Sequence, residues 1–250
     1  AYTGLPEFNS RPEIKKRFYD RSVFSSSMLN DSTFSYSGAY RVQELREEQT
    51  RIINFLKDNG YASVQRDSVK ALVKRFENNP NSIDILYTIN PGNTFNFGNI
   101  YMALRGPEGE DSYQDSLFIQ LIDSTSTERF IEVKKNQGAQ TDFSLLTDQL
   151  KFEPGELYNQ STYLRTIRSF QSLGNMTVRR FGFNEETSQA DFASEDIPVY
   201  FELQTLPRHS INSEFFGMRR YGFGTGAGIN YNNNNLFGRA ENFTLGLNTN

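Results

Sequence analysis

Two glycines and an alanine near the end of the chain have the spacing of a dinucleotide-binding loop. Gly222, Gly224 and Ala227 satisfy the pattern G-x-G-x-x-A. That chemistry requires a helix directly after the loop, because the N-terminus of the helix binds the pyrophosphate. An asparagine-rich turn, Asn232–Asn235, follows instead. The pattern therefore does not predict a nucleotide site.

Acidic and imidazole side chains offer little for metal binding or catalysis. Glu108, Glu110 and Asp111 lie close together but lack the ligand order of a calcium loop, which favours a solvated loop. The chain has one histidine, His209, and no cysteine. Disulfides, thiolate metal sites and polyhistidine sites are thus excluded, and a Ser-His-Asp triad is disfavoured. We interpret His209 as a surface residue of a linker, and we expect no cofactor, no metal and no enzymatic activity.

The charge balance argues against a nucleic-acid partner. Lys and Arg number 26 and Asp and Glu 30, so the 250-residue chain has a formal charge of −4. A weakly acidic chain without a strong basic cluster is a poor nucleic-acid binder. Four arginines are candidates for pairing with anionic lipid headgroups, and solvation or intramolecular ion pairing is the alternative. These are Arg179, Arg180, Arg219 and Arg220.

Apolar periodicity predicts an α+β fold. Helices are predicted over 41–59 and 159–173, where apolar residues recur at helical spacing and Gly60 and Gly174 supply the stops. Residues 1–32 are polar and have no clear period. Strands are predicted at 33–40, 61–75, 83–89, 97–104, 117–122, 130–133, 176–183 and 197–203.

Two stretches of the chain match each other at an offset of 114 residues. Ile53 then aligns with Ile167 and Leu56 with Phe170. The strand 83–89 aligns with the strand 197–203 in the same register. This indicates one αβ unit that occurs twice, with its helix packed on one face of a small sheet. Residues 106–146 are interpreted as an insertion into the second unit.

The C-terminal stretch has a strict period of two. From Tyr221 to Tyr231 a mostly apolar set of side chains alternates with glycines and one asparagine, and a second alternating run includes Phe243 and Leu245. A transmembrane β-strand needs about 9–11 residues with this alternation and with aromatic residues at its ends. A soluble hairpin can have the same pattern, so the pattern alone leaves both interpretations open.

Several segments resemble the BamA/TamA outer-membrane assembly family. They are LTDQLKFEPGELYN (146–159), GNMTVRRFGF (174–183), IPVYFELQTLPRHS (197–210) and GFGTGAGINYNNNNLFGRAENFTLGL (222–247). Within the last segment, an asparagine-rich turn leads into Leu236-Phe237-Gly238, as at the start of the family's barrel. Residues 41–64, with Asn59-Gly60-Tyr61, resemble a preceding POTRA domain. The resemblance implies tandem β-α-α-β-β POTRA domains followed by the first hairpin of a transmembrane β-barrel.

The resemblance also implies a division of the chain. Residues 1–32 are expected to be a separate N-terminal segment, interpreted as the tail of an upstream POTRA domain. Residues 33–91 form one POTRA domain, and residues 92–206 form a membrane-proximal one with the insertion at 106–146. Residues 207–250 then begin the barrel, and the chain is interpreted as a fragment of a longer protein.

The function that the resemblance implies is assembly of outer-membrane proteins, with the POTRA domains in the periplasm of a Gram-negative bacterium. The implied partners are unfolded outer-membrane protein clients, accessory lipoproteins or periplasmic chaperones, and outer-membrane lipid. Translocation of a dedicated passenger, lipid handling by a related protein, and a specific binding module are the alternatives.

Two sets of site residues follow. The expected lipid-facing residues are Tyr221, Phe223, Ala227, Ile229, Tyr231, Phe243 and Leu245. The candidate edges for strand addition, on the strand before the last one of each unit, are marked by Val64, Met176 and Val178.

Overall fold

The structure is a computed structural model, and it forms two compact units. It describes residues 1–8, 11–24, 28–30, 33–34, 41–76, 79–108, 112–122, 128–185, 190, 192–219 and 223–249. The first unit comprises residues 1–96, 156–162 and 192–195. The second comprises residues 97–155, 163–191 and 196–250.

Runs of consecutive strands follow the helices along the chain, as in an α+β protein. The helices are α1 (Pro12–Asp20), α2 (Val42–Lys57), α3 (Phe143–Asp148) and α4 (Gln160–Ser172). The strands are β1 (Tyr2–Thr3), β2 (Met28–Asn30), β3 (Thr33–Phe34), β4 (Val69–Phe76), β5 (Asn79–Ile89), β6 (Asn96–Arg105), β7 (Tyr113–Ile122), β8 (Glu128–Asn136), β9 (Met176–Gly182), β10 (Asp196–Thr205), β11 (His209–Arg219), β12 (Phe223–Asn233) and β13 (Phe243–Thr249).

The first unit packs two helices against a sheet of strand order β1-β5-β4. β1 is parallel to β5, with Tyr2 opposite Tyr87, and β4 is antiparallel to β5. The core is strongly aromatic, since the Phe18 ring lies 5.3 Å from the rings of both Tyr2 and Phe55. Edge-to-face contacts of this kind add to the stabilisation that burial provides.

The N-terminal residues 1–8 and 11–24 contribute to this core, which corrects the expectation of a separate N-terminal segment. β1 extends the sheet, and α1 buries Ile14, Phe18 and Tyr19. Helix α1 was not predicted because its few apolar positions lie within a run of basic residues that begins at Arg11, so the helical periodicity is weak. Of the strand predicted at 33–40, the part beyond β3 lies outside the described residues. The other predicted domain bounds stay a prediction.

The second unit has a five-stranded sheet of order β7-β8-β6-β10-β9. β10 alternates strictly, with Ile197, Val199, Phe201 and Leu203 buried. The ring of Phe170 on α4 packs 5.4 Å from that of Phe201. The predicted insertion forms the antiparallel hairpin β7–β8, and β8 pairs in parallel with β6. The insertion therefore widens the sheet by two strands.

Most of the predicted elements agree with the structure. Gly60 and Gly174 adopt positive φ angles of 98° and 73° after α2 and α4, as expected of helix stops. The short helix α3 was missed because six residues hold little more than one turn of periodicity. The predicted strand over 61–75 begins only at Val69. Val64 lies in the preceding turn and is buried in the core, so it cannot belong to an edge strand.

A buried carboxylate links three parts of the first unit, which are β1, the segment after α1, and α2. Glu48 on α2 accepts hydrogen bonds from the Tyr2 hydroxyl and from Ser22 Oγ (3.1 Å). It also accepts from the backbone N–H of Val23 (2.9 Å) and from Arg51 (2.7 and 2.9 Å). Burial alone would raise the pKa of Glu48, but the hydrogen bonds and charge of Arg51 bring this pKa below its usual value. Burial and the negative charge of Glu48 raise the pKa of Tyr2.

Leu56→Ala and Phe170→Ala should each lower the free energy of unfolding of their unit by about 2–5 kcal/mol, since both side chains are fully buried and leave cavities. Leu72→Ala on exposed β4 is the control and should change it by less than about 0.5 kcal/mol. Hydrogen exchange of the helix amides measures each unit separately. Equal effects of the three substitutions would contradict the assigned cores.

Glu48→Gln should lower the free energy of unfolding of the first unit at pH 7 by about 3 kcal/mol, because a buried ion pair loses one charge. Because the pKa of Glu48 is lowered on folding, its contribution is present above the unfolded value of about 4.3 and is lost as the pH falls through the folded value. As the pH falls, the free energy of unfolding of the variant should therefore decrease less steeply than that of the wild type.

Glu47→Gln, on the exposed side of the same helix, is the matched control and should behave like the wild type. Hydrogen exchange of the α2 amides from neutral to acidic pH is the measurement. An unchanged acid dependence in Glu48→Gln would contradict the assigned role of this carboxylate.

Candidate functional site

The C-terminal part of the second unit is a separate antiparallel sheet of order β11-β12-β13. β12 is its central strand, pairing with β11 from Arg219↔Phe223 to His209↔Asn233 and with β13 from Ala227↔Thr249 to Asn233↔Phe243. Because side chains alternate along a strand, this register decides which residues share a face.

One face of this sheet is apolar and exposed. Its rows align Ile211 with Tyr231 and Leu245, and Ile229 with Leu247. The exposed fractions are 71% for Ile211, 84% for Phe215, 54% for Ile229, 45% for Phe243, 51% for Leu245 and 68% for Leu247. Contiguous apolar patches of this kind mark interaction or membrane surfaces.

The opposite face is polar from Ser210 to Glu214 on β11, from Gly228 to Asn232 on β12 and along β13, and it contains the glycines of β12 and β13. Gly228 lies between Glu214 and Asn248, whose side chains close over it. A Cβ atom at Gly228 would come within 2.6 Å of Asn248 Oδ1 and 2.9 Å of Glu214 Oε1. Asn230 approaches Gly246 in the same way. The glycines thus make room for polar neighbours, and the sheet is amphipathic.

The structure places the predicted apolar residues on one face wherever it describes them. Ala227, Ile229, Tyr231, Phe243 and Leu245 share the apolar face. Phe223 begins β12 in the same alternation, and Tyr221 lies outside the described residues.

Sequence reasoning missed β11, and with it Ile211 and Phe215. Ser213 and Gly217 interrupt the apolar positions of β11, so its alternation is weak. The predicted hairpin is therefore a three-stranded sheet, and β12 is not its first strand. His209 is the first residue of β11 rather than part of a linker, and its Nδ1 lies 2.8 Å from the Tyr231 hydroxyl.

The turn between β12 and β13 is bound to the loop that follows β8. Asn235 donates from Nδ2 to the carbonyl of Gln140 (2.9 Å), and the N–H of Asp142 donates to the carbonyl of Gly238 (3.0 Å). Arg208 donates to the carbonyl of Leu236 (2.9 Å) and to the Gln140 side chain. These bonds fix one end of the amphipathic sheet to the αβ part of the same unit.

The αβ sheets of the two units have three edge strands of substantial length in the described part of the chain. They are β4 in the first unit and β7 and β9 in the second. Met176 and Val178 lie on β9, where Met176 is buried and Val178 half-buried. Val64, the third candidate, lies outside the strands.

The described candidate arginines for lipid headgroups lie on two different strands, β9 and β11. Arg180 forms an ion pair with Glu202 (3.2 Å) and Arg179 bonds to Gln204, so intramolecular pairing accounts for these two arginines. Arg219 ends β11, and Arg220 lies outside the described residues.

The nucleotide and metal patterns gain no support. Gly224 and Ala227 lie on β12, so no helix N-terminus follows them, and Gly222 is not described. Glu110 and Asp111 also lie outside the described residues. In the part that is described, no group of three His, Cys, Asp or Glu side chains is placed to hold a metal. None of the described helices is both long and apolar enough to cross a membrane.

We compared the sequence and the fold with those of known proteins. No family model matches the sequence, and no curated protein matches it. The fold is similar to the crystal structure of BamA from Haemophilus ducreyi lacking POTRA domains 1-3, with a TM-score of 0.50 and 18% identity. That likeness covers 92% of this chain and 34% of the BamA chain.

Two further structures have lower TM-scores. They are POTRA1-3 of the periplasmic domain of Omp85 from Anabaena (0.33, 12% identity, 82% of this chain and 60% of that one) and Haemophilus influenzae BamA POTRA3-5 (0.24, 12% identity, 74% and 90%). The predicted α+β fold with tandem POTRA-like units is confirmed. The chain has the fold of about a third of the Haemophilus ducreyi BamA chain.

Proposed function

We propose that this chain is part of an outer-membrane protein assembly factor of the BamA/Omp85 kind. The two αβ units lie in the periplasm, and the sheet β11-β12-β13 enters the outer membrane. The observation that carries this proposal is the exposed apolar face, to which β11, β12 and β13 each contribute side chains.

The geometry suits a membrane because the two faces of the sheet differ so clearly. A strand that spans a bilayer needs about 9–11 residues with apolar side chains toward lipid. β11 and β12 each have 11 residues. Among the described residues of the apolar face, Ala227, Ile229, Tyr231, Phe243 and Leu245 would then contact lipid.

Client binding by strand addition is the second part of the proposal. An edge strand can hydrogen-bond to an extended chain through its backbone, so that affinity depends little on the client's sequence. β9, with Met176 and Val178, offers such an edge. Unfolded outer-membrane proteins are the proposed clients, and accessory lipoproteins or periplasmic chaperones are proposed to deliver them. No cofactor, catalytic residue or nucleic acid enters this mechanism.

A dedicated translocator of one passenger is the second candidate. The hairpin β7–β8 favours it, because this hairpin widens the sheet of the second unit by two strands. A general assembly factor has no need of a large additional surface for one cargo.

The test reconstitutes the protein in vesicles of phosphatidylethanolamine and phosphatidylglycerol and adds several different urea-unfolded barrel proteins. Folding is measured by resistance to SDS in gel electrophoresis, and precursors with scrambled strand alternation are the control. Faster folding of many barrels supports the assembly factor, and binding of one cargo supports the translocator. No difference between native and scrambled precursors would contradict both.

Ile229→Arg should weaken membrane insertion of the protein by about 2–4 kcal/mol if the residue lies near the bilayer midplane, because an arginine would then face lipid. Asn212→Arg is the matched control, since Asn212 lies on the polar face of the neighbouring strand and is exposed. Flotation with vesicles measures the inserted fraction. Equal insertion of the two variants would contradict the lipid-facing assignment.

A further inference from the structure

The inserted hairpin gives the second unit an edge strand of an unusual kind. Among the described strands, β8 is the one hydrogen-bonded to β7, so β7 ends the sheet. Its pairing is regular from Asp115 opposite Lys135 to Ile122 opposite Glu128. The one irregularity lies at its start, between Tyr113 and Asp115. The outer side of β7 is therefore a long and regular template.

The other two long edge strands of the αβ sheets, β4 and β9, have features that limit pairing to part of their length. β4 has three cations, Lys70, Lys74 and Arg75, and an irregularity between Arg75 and the last residue of the strand. β9 has Arg179 and Arg180, and its pairing with β10 shifts register at one point. Lysines, other charges and bulges are the usual means by which proteins protect an edge from a further strand.

β7 lacks these protective features over most of its length. Ser116–Ile122 contains no charged residue, no proline and no glycine. Phe118 is 57% exposed, and its ring lies 4.7 Å from that of Phe130 on β8. On the other face Leu117, Ile119 and Leu121 are only half-buried. An added strand would bury apolar surface on both faces.

We propose that β7 binds an extended polypeptide whose apolar and uncharged polar residues alternate. The backbone of an edge strand selects an extended chain, and the uncharged side chains of Ser116–Ile122 offer no ion-pair partner to a charged residue of the added strand. β7 has 10 residues, which matches the length of about 9–11 residues of a transmembrane β-strand. The inference rests on the proposed function, since a strand of an unfolded barrel has this alternation, but it assigns a binding site distinct from β9.

A second copy of the chain is a less suitable partner. The chain has a net charge of −4, which opposes self-association. Pairing of β7 with another β7 would also consume the edge that a client needs. Self-association through β7 is therefore an outcome that the experiment must recognise.

The absence of cysteine from the chain makes the experiment simple. Single cysteines are introduced as Gln120→Cys on β7 and, as the matched control, Thr177→Cys on β9, both at exposed positions of edge strands. The probe is a set of alternating valine–serine peptides of about ten residues, the length of a barrel strand, each with one cysteine at a different position. A peptide with two central prolines cannot form the ladder and is the negative probe. Disulfide cross-links in detergent micelles are quantified by mass spectrometry.

Strand addition at β7 predicts cross-links to the Gln120→Cys variant whose yield alternates with a period of two along the peptide, because only every second side chain shares its face. The proline peptide should give background yield. Cross-links without this alternation, cross-links confined to the Thr177→Cys variant, or nothing but a disulfide-linked dimer of the Gln120→Cys variant would each overturn the proposal.

The same variants separate this inference from the proposed function. Alternating cross-links at β7 in a protein that does not speed barrel folding would leave β7 as a peptide site and reject the assembly function. Barrel folding with cross-links only in the Thr177→Cys variant would support the assembly function and reject the site on β7.

Discussion

The alternation of side chains across the β11-β12-β13 sheet is the constraint on which the functional account depends. With a period of two, one register fixes every residue on its face, and here it places Ile211, Ile229 and Leu247 together on the exposed side. The same register places Gly228 and Asn248 together on the other side. A shift by one residue would exchange these faces and destroy the amphipathic sheet. A sheet so divided is suited to an apolar environment on one side and to water on the other.

The rest of the second unit holds this sheet in place. The hydrogen bonds of Asn235, Asp142 and Arg208 attach the β12–β13 turn to the loop after β8. This loop directly follows the inserted hairpin β7–β8. The hydrogen bonds therefore connect the end of the insertion to the amphipathic sheet. A client bound at β7 would thus lie on the hairpin β7–β8, and the loop that follows this hairpin contacts the β12–β13 turn of the amphipathic sheet. In the first unit, the network around Glu48 serves stability, and we assign it no part in binding.

The strongest sequence patterns predicted the elements that pack the cores. α2, α4, β5 and β10 have long and regular apolar periods, and Leu56 and Phe170 are buried as expected. Among the elements that were not predicted, three have a clear physical reason. In α1 the basic residues mask Ile14 and Phe18, α3 has only 6 residues, and β11 has serine and glycine at two positions of its apolar face. Val64 was wrongly assigned to a strand. A β-branched residue that is buried in a turn gives the same sequence signal as one that is buried in a strand.

The candidate site was predicted only in part, because sequence alternation gives the faces of a strand but not its neighbours. Phe243 and Leu245 could be assigned to a face, while their pairing with β12 and the contribution of β11 required the structure. Likewise, the sequence indicated a hairpin within 106–146 but not that β7 would end a sheet. Long-range pairing depends on contacts that a local pattern does not contain.

The most direct test of the membrane assignment is a spin-label scan of β13 in lipid vesicles. Single cysteines replace each residue from Phe243 to Thr249 in turn, and each label is exposed to oxygen, which concentrates in lipid, and to a water-soluble nickel chelate. The account predicts alternation with a period of two: labels at Phe243, Leu245 and Leu247 should favour oxygen, and labels at Thr244, Gly246 and Asn248 should favour the chelate. Similar accessibility of all these positions to the chelate would contradict the claim that the apolar face of the sheet lies in lipid.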